Sequence, residues 1–489
     1  MTNRILKHLK YYIFIFLYAC LFLSHSAKAC DIINGSDIIY THLGGKKYAI
    51  KYVLYHQCAC KLSVMPTFTV SCGSTKITNK PPRVSIRDIT PVCSSDQPPC
   101  NGSGGSRLGI EEHIFVDTID FNKAPYSNIG NCCEVKLRVA QPWGLVSTTT
   151  STTTYGGEAM MDLCNIGKKG NNSPRFTNIA MSFLCCNQPA FINAGTLDLL
   201  DFGDSLSYAL TEPLSATFTP VTWLSSWSKT YPLTSYWPSG YDKTKGPRPD
   251  QNPPIGFYMD NETGDIIFTP TNCTENGPLC LEVKEWRKDS TGKWKLLGIT
   301  RRDMYITVLN CPGNNPPKVT NKTFKYSVCA GTQLCFDVTT EDKQFTLPPP
   351  SKSPPPDTVQ LTWNRGIPGG TFTIKDTTAR EKVGKFCWTP PKKYASDLPY
   401  AFTVTVRDDA CPLSAVTVRS FTVKVNFIAE ADRLYDTLDC GKYACKSMPI
   451  QGFRGTPTYR WDITDANGLL LDKKYYRFAS NNALKSNKQ

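Results

Sequence analysis

The sequence predicts an all-β protein, a tandem of β-sandwich modules behind a signal peptide. Three observations predict it. Short runs in which β-branched and aromatic residues alternate with polar ones recur along the chain, divided by Pro, Gly, Asn and Asp, while apolar residues almost nowhere recur at the helical period. The 489 residues include 36 prolines, 33 glycines and 21 cysteines with only 20% charged, so turns are frequent and covalent bracing is available. Two stretches also repeat one strand order. A chain of this length divides into roughly three to four domains, which argues against a single compact enzyme domain.

The first element is the leader, residues 1–29. Arg4, Lys7 and Lys10 precede the apolar run Tyr11 to Leu23, and Ala27-Lys28-Ala29 supplies small residues where a signal peptidase reads them, so cleavage is expected after Ala29. The run falls short of the roughly 20 residues of a membrane span, and no later segment approaches that length. After cleavage no transmembrane segment is expected, and the protein is secreted or held at the cell surface, associated with the outer membrane. Losing Arg4, Lys7, Lys10 and Lys28 lowers the formal charge from +14 to +10.

Cys20 leaves with the leader, and an even number of cysteines remains. In an exported chain Cys30, Cys58, Cys60, Cys72, Cys93, Cys100, Cys132, Cys133, Cys164, Cys185, Cys186, Cys273, Cys280, Cys311, Cys329, Cys335, Cys387, Cys411, Cys440 and Cys445 read as disulfide candidates, with connectivity left open. Zinc is disfavoured at Cys58/Cys60, Cys132/Cys133 and Cys185/Cys186, because none has the two-residue gap of a zinc knuckle. Cys30, first in the mature chain, has a second reading as the acylated residue of a lipoprotein, although Lys28 lies inside the would-be lipobox.

Residues 30–185 are read as an N-terminal Cys-rich β domain with strands such as Tyr48 to Tyr55 and Val135 to Val139, followed by the low-complexity Ser147 to Thr154, read as an exposed linker or loop. Residues 186–312 are read as a first sandwich with an aromatic insertion, and 313–428 as a second. In the first, Gly264 to Pro270 precedes strands at Leu279 to Trp286 and at Met304 to Leu309. In the second, Gly384 to Pro390 precedes Tyr400 to Asp408 and Phe421 to Val425. Both copies carry an apolar strand ending in Thr-Pro, where proline lacks the N–H to continue pairing. The run Pro348 to Pro356 is read as a stiff extended loop in the second module. Residues 429–489 hold a partial module.

Three stretches carry a resemblance: Tyr40-Thr41-His42-Leu43-Gly44-Gly45-Lys46-Lys47-Tyr48 before a strand and Cys58; Tyr400 to Val425 with Val406-Arg407-Asp408-Asp409-Ala410-Cys411-Pro412-Leu413; and Cys440-Gly441-Lys442-Tyr443 through Thr456-Pro457-Thr458-Tyr459-Arg460-Trp461-Asp462. They resemble large secreted Bacteroidota proteins, the gliding-motility-associated or type IX secretion substrates, with their cadherin-, immunoglobulin- and PKD-like modules. The resemblance implies adhesion or scaffolding and surface attachment linked to gliding motility. Members of that family usually continue to a C-terminal sorting domain, whereas this sequence stops at Gln489, so a truncated fragment of a larger adhesin is a competing expectation.

Composition narrows the chemistry. Of five histidines, His8 and His25 fall in the leader, which leaves His42, His56 and His113; beyond His113 the chain has no imidazole for a Ser-His-Asp site or a His-ligated metal. Cys58 and Cys60 together with His42, His56 and His113 suggest a Cys-His site, but in an oxidising compartment those cysteines read as bridged. Basic doublets are scattered, so no nucleic-acid partner is expected. No Walker loop, dinucleotide fingerprint, HExxH or GxSxG element occurs. Glu111-Glu112 with Asp117, and Glu282 with Glu285, are the carboxylate sets a glycoside hydrolase would draw on, but nothing places either across a cleft.

Two binding sites are nominated. Trp223, Trp227, Tyr231, Tyr236, Trp237 and Tyr241 form an aromatic segment able to stack on sugar rings or to cover an adjoining core. Asp201, Asp204, Asp337, Asp342, Asp408 and Asp409 are candidate oxygen ligands for Ca²⁺ at module junctions, the one ion considered; no other cofactor is expected. The reading is a non-enzymatic adhesion or scaffold protein whose partners are surface glycans or other surface proteins, with a secreted carbohydrate-binding protein or glycoside hydrolase as the alternative.

Overall fold

The computed structural model describes residues 33–58, 62, 65–90, 100, 109–141, 147–166, 169–180, 183–201, 203–311, 313–347, 351–411 and 414–426, together with two short strands at Tyr476–Phe478 and Leu484–Ser486. The expected leader, the partial module 429–489 apart from those two short strands, and Cys30, Cys60, Cys93, Cys440 and Cys445 lie outside the described residues. Among the described residues strands dominate, helical structure is confined to single turns, and no helix is long and apolar enough to cross a membrane. The all-β expectation therefore holds. Chain contacts divide it into two units, one within 1–194, 200–312 and 410–414, the other within 195–199, 313–409 and 415–489.

In the first unit the strands are β1 Ile33–His42, β2 Lys47–Gln57, β3 Thr67–Cys72, β4 Thr75–Asn79, β5 Arg83–Asp88, β6 Ile110–Asp120, β7 Val135–Gln141, β8 Tyr155–Met161, β9 Arg175–Phe176, β10 Phe183–Cys185 and β11 Ala190–Ile192. β12 Thr196–Leu197 belongs to the second unit, and the first resumes with β13 Ser205–Leu210, β14 Tyr258–Met259, β15 Ile266–Phe268, β16 Asn276–Lys288 and β17 Trp294–Leu309. Gly44 and Gly45, both at positive φ, turn β1 into β2, and β2 then pairs with β6 from Lys47↔Asp120 to Gln57↔Ile110.

The centre of β2 explains its apolar run. Tyr52 and Leu54 enter a core with Phe68, Phe115, Leu137 and Val139, while Val53 and Tyr55 enter another with Ile192, Leu233, Phe268 and Ile306. A strand buried on both faces loses its alternation.

Strands from the segments 30–185 and 186–312 share one sheet. One edge of β17 pairs with β16, and its other edge takes β10 in parallel at Thr307 to Leu309, β1 at Arg302 to Met304, and β8 at Gly298 and Ile299. At the β1–β17 contact, Gly35 has φ +150°, and a Cβ there would lie 1.9 Å from the Asp303 carbonyl oxygen, so this approach requires glycine.

The second unit contains β18 Lys318–Val319, β19 Lys325–Cys329, β20 Leu334–Glu341, β21 Gln360–Trp363, β22 Thr371–Ile374, β23 Val383–Trp388, β24 Tyr400–Arg407 and β25 Val416–Asn426. Two four-stranded sheets, β18-β20-β23-β22 and β19-β25-β24-β21, enclose a core of Phe386, Trp388, Phe402, Val404, Phe421 and Val423. The repeat seen in the sequence reappears as topology. β10-β17-β16-β13 matches β19-β25-β24-β21, each opening with a parallel pair, and β11-β15-β14 matches β20-β23-β22.

Disulfides join Cys58–Cys100, Cys72–Cys132, Cys133–Cys164, Cys185–Cys311, Cys186–Cys273 and Cys335–Cys387, and Cys411 is bridged as well. Each adjacent doublet reaches two different partners, because successive residues of an extended chain project in opposite directions. Two disulfide candidates are corrected: Cys280 and Cys329 are free thiols. Across the ladder Cys280 faces Asp303 and Cys329 faces Asn426.

Ser147 to Thr154 is likewise no exposed linker. Thr149 and Thr150 are buried, the Thr148 N–H reaches the Asn276 carbonyl at 2.8 Å, and Thr150 bridges to Trp223. Its hydroxyls and backbone form a seam within the first unit.

Candidate functional site

The aromatic segment lies between β13 and β14, with no regular strand of its own. All six nominated rings are half-buried, so each has one side on the protein and one toward solvent. Their polar tips are fixed: Trp223 Nε1 donates to Glu212 at 2.7 Å, Trp227 Nε1 to Glu275 at 3.1 Å, and the Tyr231 hydroxyl accepts from the Ser235 amide at 3.1 Å. Glu275, itself buried, also accepts from the Thr234 amide and hydroxyl and thereby ties the loop to the start of β16. Tyr231 packs on the core that holds Leu233 and Phe268.

Within the segment only Trp237 and Tyr241 make a described ring contact with each other, with centroids 5.5 Å apart. The Tyr241 hydroxyl donates to the Gly246 carbonyl at 3.0 Å, Lys243 Nζ sits 5.3 Å from the Trp237 ring centre, and the indole abuts Gly256, where a Cβ would come within 2.7 Å. Of the nominated rings, Trp237 and Tyr241 thus form a contacting pair and Tyr231 packs on the core.

The nominated acids separate in the same way. Asp201 and Asp204 surround Arg287, whose NH2 lies 3.2 Å from Asp201 and 2.6 Å from Asp204, and Lys169 stands 3.3 Å from Asp201. Both carboxylates are thus ion-paired with the protein's own cations. Asp337 pairs with Lys375, and Asp409 accepts the Thr358 amide at 2.7 Å.

Asp342 and Asp408 differ, being 1% and 3% exposed. Asp408 accepts from the Ala415 amide at 2.7 Å and from Asn314 Nδ2 at 2.9 Å, whereas neither carboxylate oxygen of Asp342 has a hydrogen-bond partner. Desolvation, with the charges of Asp408 and Asp357 adding to it, pushes the Asp342 carboxyl up to about 7.

One grouping escaped the sequence reading. The antiparallel register sets His56 opposite Glu111, and His113, two residues along β6, shares that face. His56 and His113 are buried with ring centroids 5.5 Å apart, and His113 Nε2 lies 3.0 Å from Glu111. Burial, with help from Arg83, lowers His113 to about 4. Only the strand register brings His56, on β2, to Glu111 and His113, which share β6.

The carboxylate pairs of the hydrolase alternative do not assemble. Glu111 bonds His113 while Glu112 bonds Arg87 on the opposite face, and Glu282 and Glu285, three residues apart, also point to opposite faces. Glu285 is buried and accepts from Asn171 at 2.6 Å.

A last polar cluster is internal. Arg302 and Asp37, directly opposed across β17 and β1, form a buried two-point ion pair that the Tyr55 hydroxyl joins at 2.7 Å. Burial first, and then Asp37, drives the Tyr55 hydroxyl well above its usual range, so it stays a donor.

No family model and no curated protein matches the chain. Among solved structures, the titin domains z1z2 in complex with telethonin align at 10% identity over 53% of this chain and 98% of that one, with a TM-score of 0.16. The N-terminal eight Ig domains of Down Syndrome Cell Adhesion Molecule align at 9% identity over 93% of this chain and 46% of that one, with a TM-score of 0.23. Protocadherin Gamma B2 cadherin domains 1–5 align at 11% identity over 91% and 80%, with a TM-score of 0.19. Likenesses of this size leave the fold to rest on the strand pairing itself and say nothing of function.

Proposed function

We propose that this chain is a non-enzymatic adhesion or scaffold protein, exported to the cell surface or the medium, whose contact surface is the aromatic loop between β13 and β14. What supports the reading is the Trp237–Tyr241 pair, two half-exposed rings held in place by Gly256, the Gly246 carbonyl and Lys243. Rigid aromatic anchors lose little entropy on binding, and contact energy concentrates on such residues. The disulfide-braced sheet of the first unit serves as the loop's rigid support, and surface attachment, of the kind linked to gliding motility, is the setting.

The same pair favours a glycan as the partner, since paired aromatic faces suit the C–H faces of pyranose rings. In the test, beads carrying the full chain are scored for attachment to cells of the host. The double variant Trp237→Ala/Tyr241→Ala should lose most attachment while keeping the wild-type circular dichroism spectrum. Periodate treatment of the target cells abolishes attachment if the partner is a glycan, and protease treatment does so if it is a protein. Undiminished attachment of the double variant refutes the proposed surface.

Calcium at the second unit is part of this proposal. Asp342 supplies the fit, because two buried, unpartnered carboxylate oxygens beside the Asp408 carboxylate are the hard oxygen donors Ca²⁺ selects. Asp342 and Asp408 would hold the ion, which neutralises their mutual repulsion and locks the ends of β20 and β24. Calcium should slow hydrogen exchange in β20 and β24, and Asp342→Asn should remove that effect; exchange indifferent to calcium refutes the site.

A further inference from the structure

We infer that His56, Glu111 and His113 form a binding site for a divalent transition cation of the zinc class. Their ligand atoms all lie within 4.8 Å of one another. Donors held by one ion at about 2.0–2.2 Å stand at most about 4.4 Å apart, so a small inward movement of the side chains brings all three onto one ion. The set of two imidazoles and one carboxylate suits borderline metals and not Ca²⁺ or Mg²⁺, which take oxygen.

The fold builds the site without help from a loop. His56 and Glu111 are directly opposed between β2 and β6, and His113 follows Glu111 on the same face, so three donors converge from two rigid, hydrogen-bonded strands. Directly beyond them Cys58 is bridged to Cys100, so the end of β2 is covalently held beside the site. Both imidazoles are buried and Glu111 is partly exposed, so an ion would approach past the carboxylate.

One neighbour opposes binding and makes the inference testable. Arg83 NH1 lies 3.3 Å from His113 Nδ1. A guanidinium only donates, so in the metal-free protein Nδ1 accepts and the ring proton sits on Nε2, facing Glu111. For Nε2 to ligate a cation the proton must move to Nδ1, and Arg83, whose side chain is exposed, must swing away. No proton is lost in the exchange; the ring changes tautomer. Binding should therefore tighten when Arg83 is removed.

The experiment uses the full, untagged chain, stripped with EDTA and titrated with ZnCl₂ by calorimetry and with CoCl₂ by visible absorption. The expected result is one ion per chain at this site, with Co²⁺ bands of a four- or five-coordinate complex. Affinity should fall about tenfold or more in Glu111→Gln, and also in His56→Asn. It should be unchanged in His42→Ala and stronger in Arg83→Ala. Glu111→Gln changes a partly exposed group without altering its shape, so its result stands even if a histidine variant fails to fold. Absence of binding in the micromolar range overturns the inference, and so does binding that survives Glu111→Gln or disappears only in His42→Ala.

Discussion

Replacing Arg302 with Met should destabilise the first unit by about 3–5 kcal/mol, the usual consequence of removing one partner of a buried ion pair. The magnitude follows from what remains. Arg302 and Asp37 are 1% and 2% exposed; Arg302 Nε donates to Asp37 at 2.8 Å, and its NH1 donates to the Asn178 carbonyl at 2.5 Å. Without the guanidinium, Asp37 keeps the Tyr55 hydroxyl but loses its counter-charge in a place water does not reach. The guanidinium also lies 4.3 Å from the Phe176 ring centre, and the Met side chain retains part of that packing. Replacing both partners, Asp37→Leu with Arg302→Met, removes both charges together and should recover most of the loss. The assay is urea unfolding with hydrogen exchange read on peptides from β1, β2 and β17, so that the second unit does not mask the first. A single-variant loss below about 1 kcal/mol would refute the argument. A double variant as unstable as the single one would show that the residues matter for shape and not for charge.

Gly35→Ala should be more damaging than its size suggests, because the added Cβ meets the Asp303 carbonyl oxygen at 1.9 Å; fast exchange confined to β1 and β17 in this variant is the expected reading. Alkylation under native conditions should label Cys329, which is exposed, and spare Cys280, which is buried with its thiol pushed well above the usual range by desolvation first and Asp303 second. Peptide mapping reads this directly, and labelling of Cys280 before unfolding would contradict its placement. Replacing Cys185 and Cys311 together by Ser opens a loop spanning 126 residues; it should cost about 4–5 kcal/mol, measured as an earlier urea midpoint for β10 and β17.

Much of the architecture could be read from residue patterns because it is local. Alternation marked the strands, and the Thr-Pro repeat anticipated the correspondence of β15–β16–β17 with β23–β24–β25. Strand length was less accessible. Leu279 to Trp286 grows to β16 over Asn276–Lys288, because pairing with β17 continues past the apolar stretch. The low-complexity Ser147 to Thr154 misled for a related reason: its composition resembles a linker, but its backbone donors and acceptors are used by Asn276 and by residues 222–224.

The candidate sites were less accessible still. Asp201, Asp204 and Asp342 are the same residue type, yet the first two face Arg287 and the third has no hydrogen-bond partner on its carboxylate oxygens. That difference depends on side chains far away in sequence. His56 and His113 were singled out as rare residues, and His113 lies two residues from Glu111 on one strand, but His56 joins them only through the pairing of β2 with β6.

By itself the sequence determined the all-β class, the repeated module, the turns and the chemistry available, since each depends on neighbours along the chain and on the conformations those neighbours allow. The tertiary structure alone decided that β17 serves both the first sandwich and the N-terminal strands, that adjacent cysteines part to different partners, and which charges are paired. Those outcomes follow from strand register and burial, in which a shift of one residue turns every side chain to the other face.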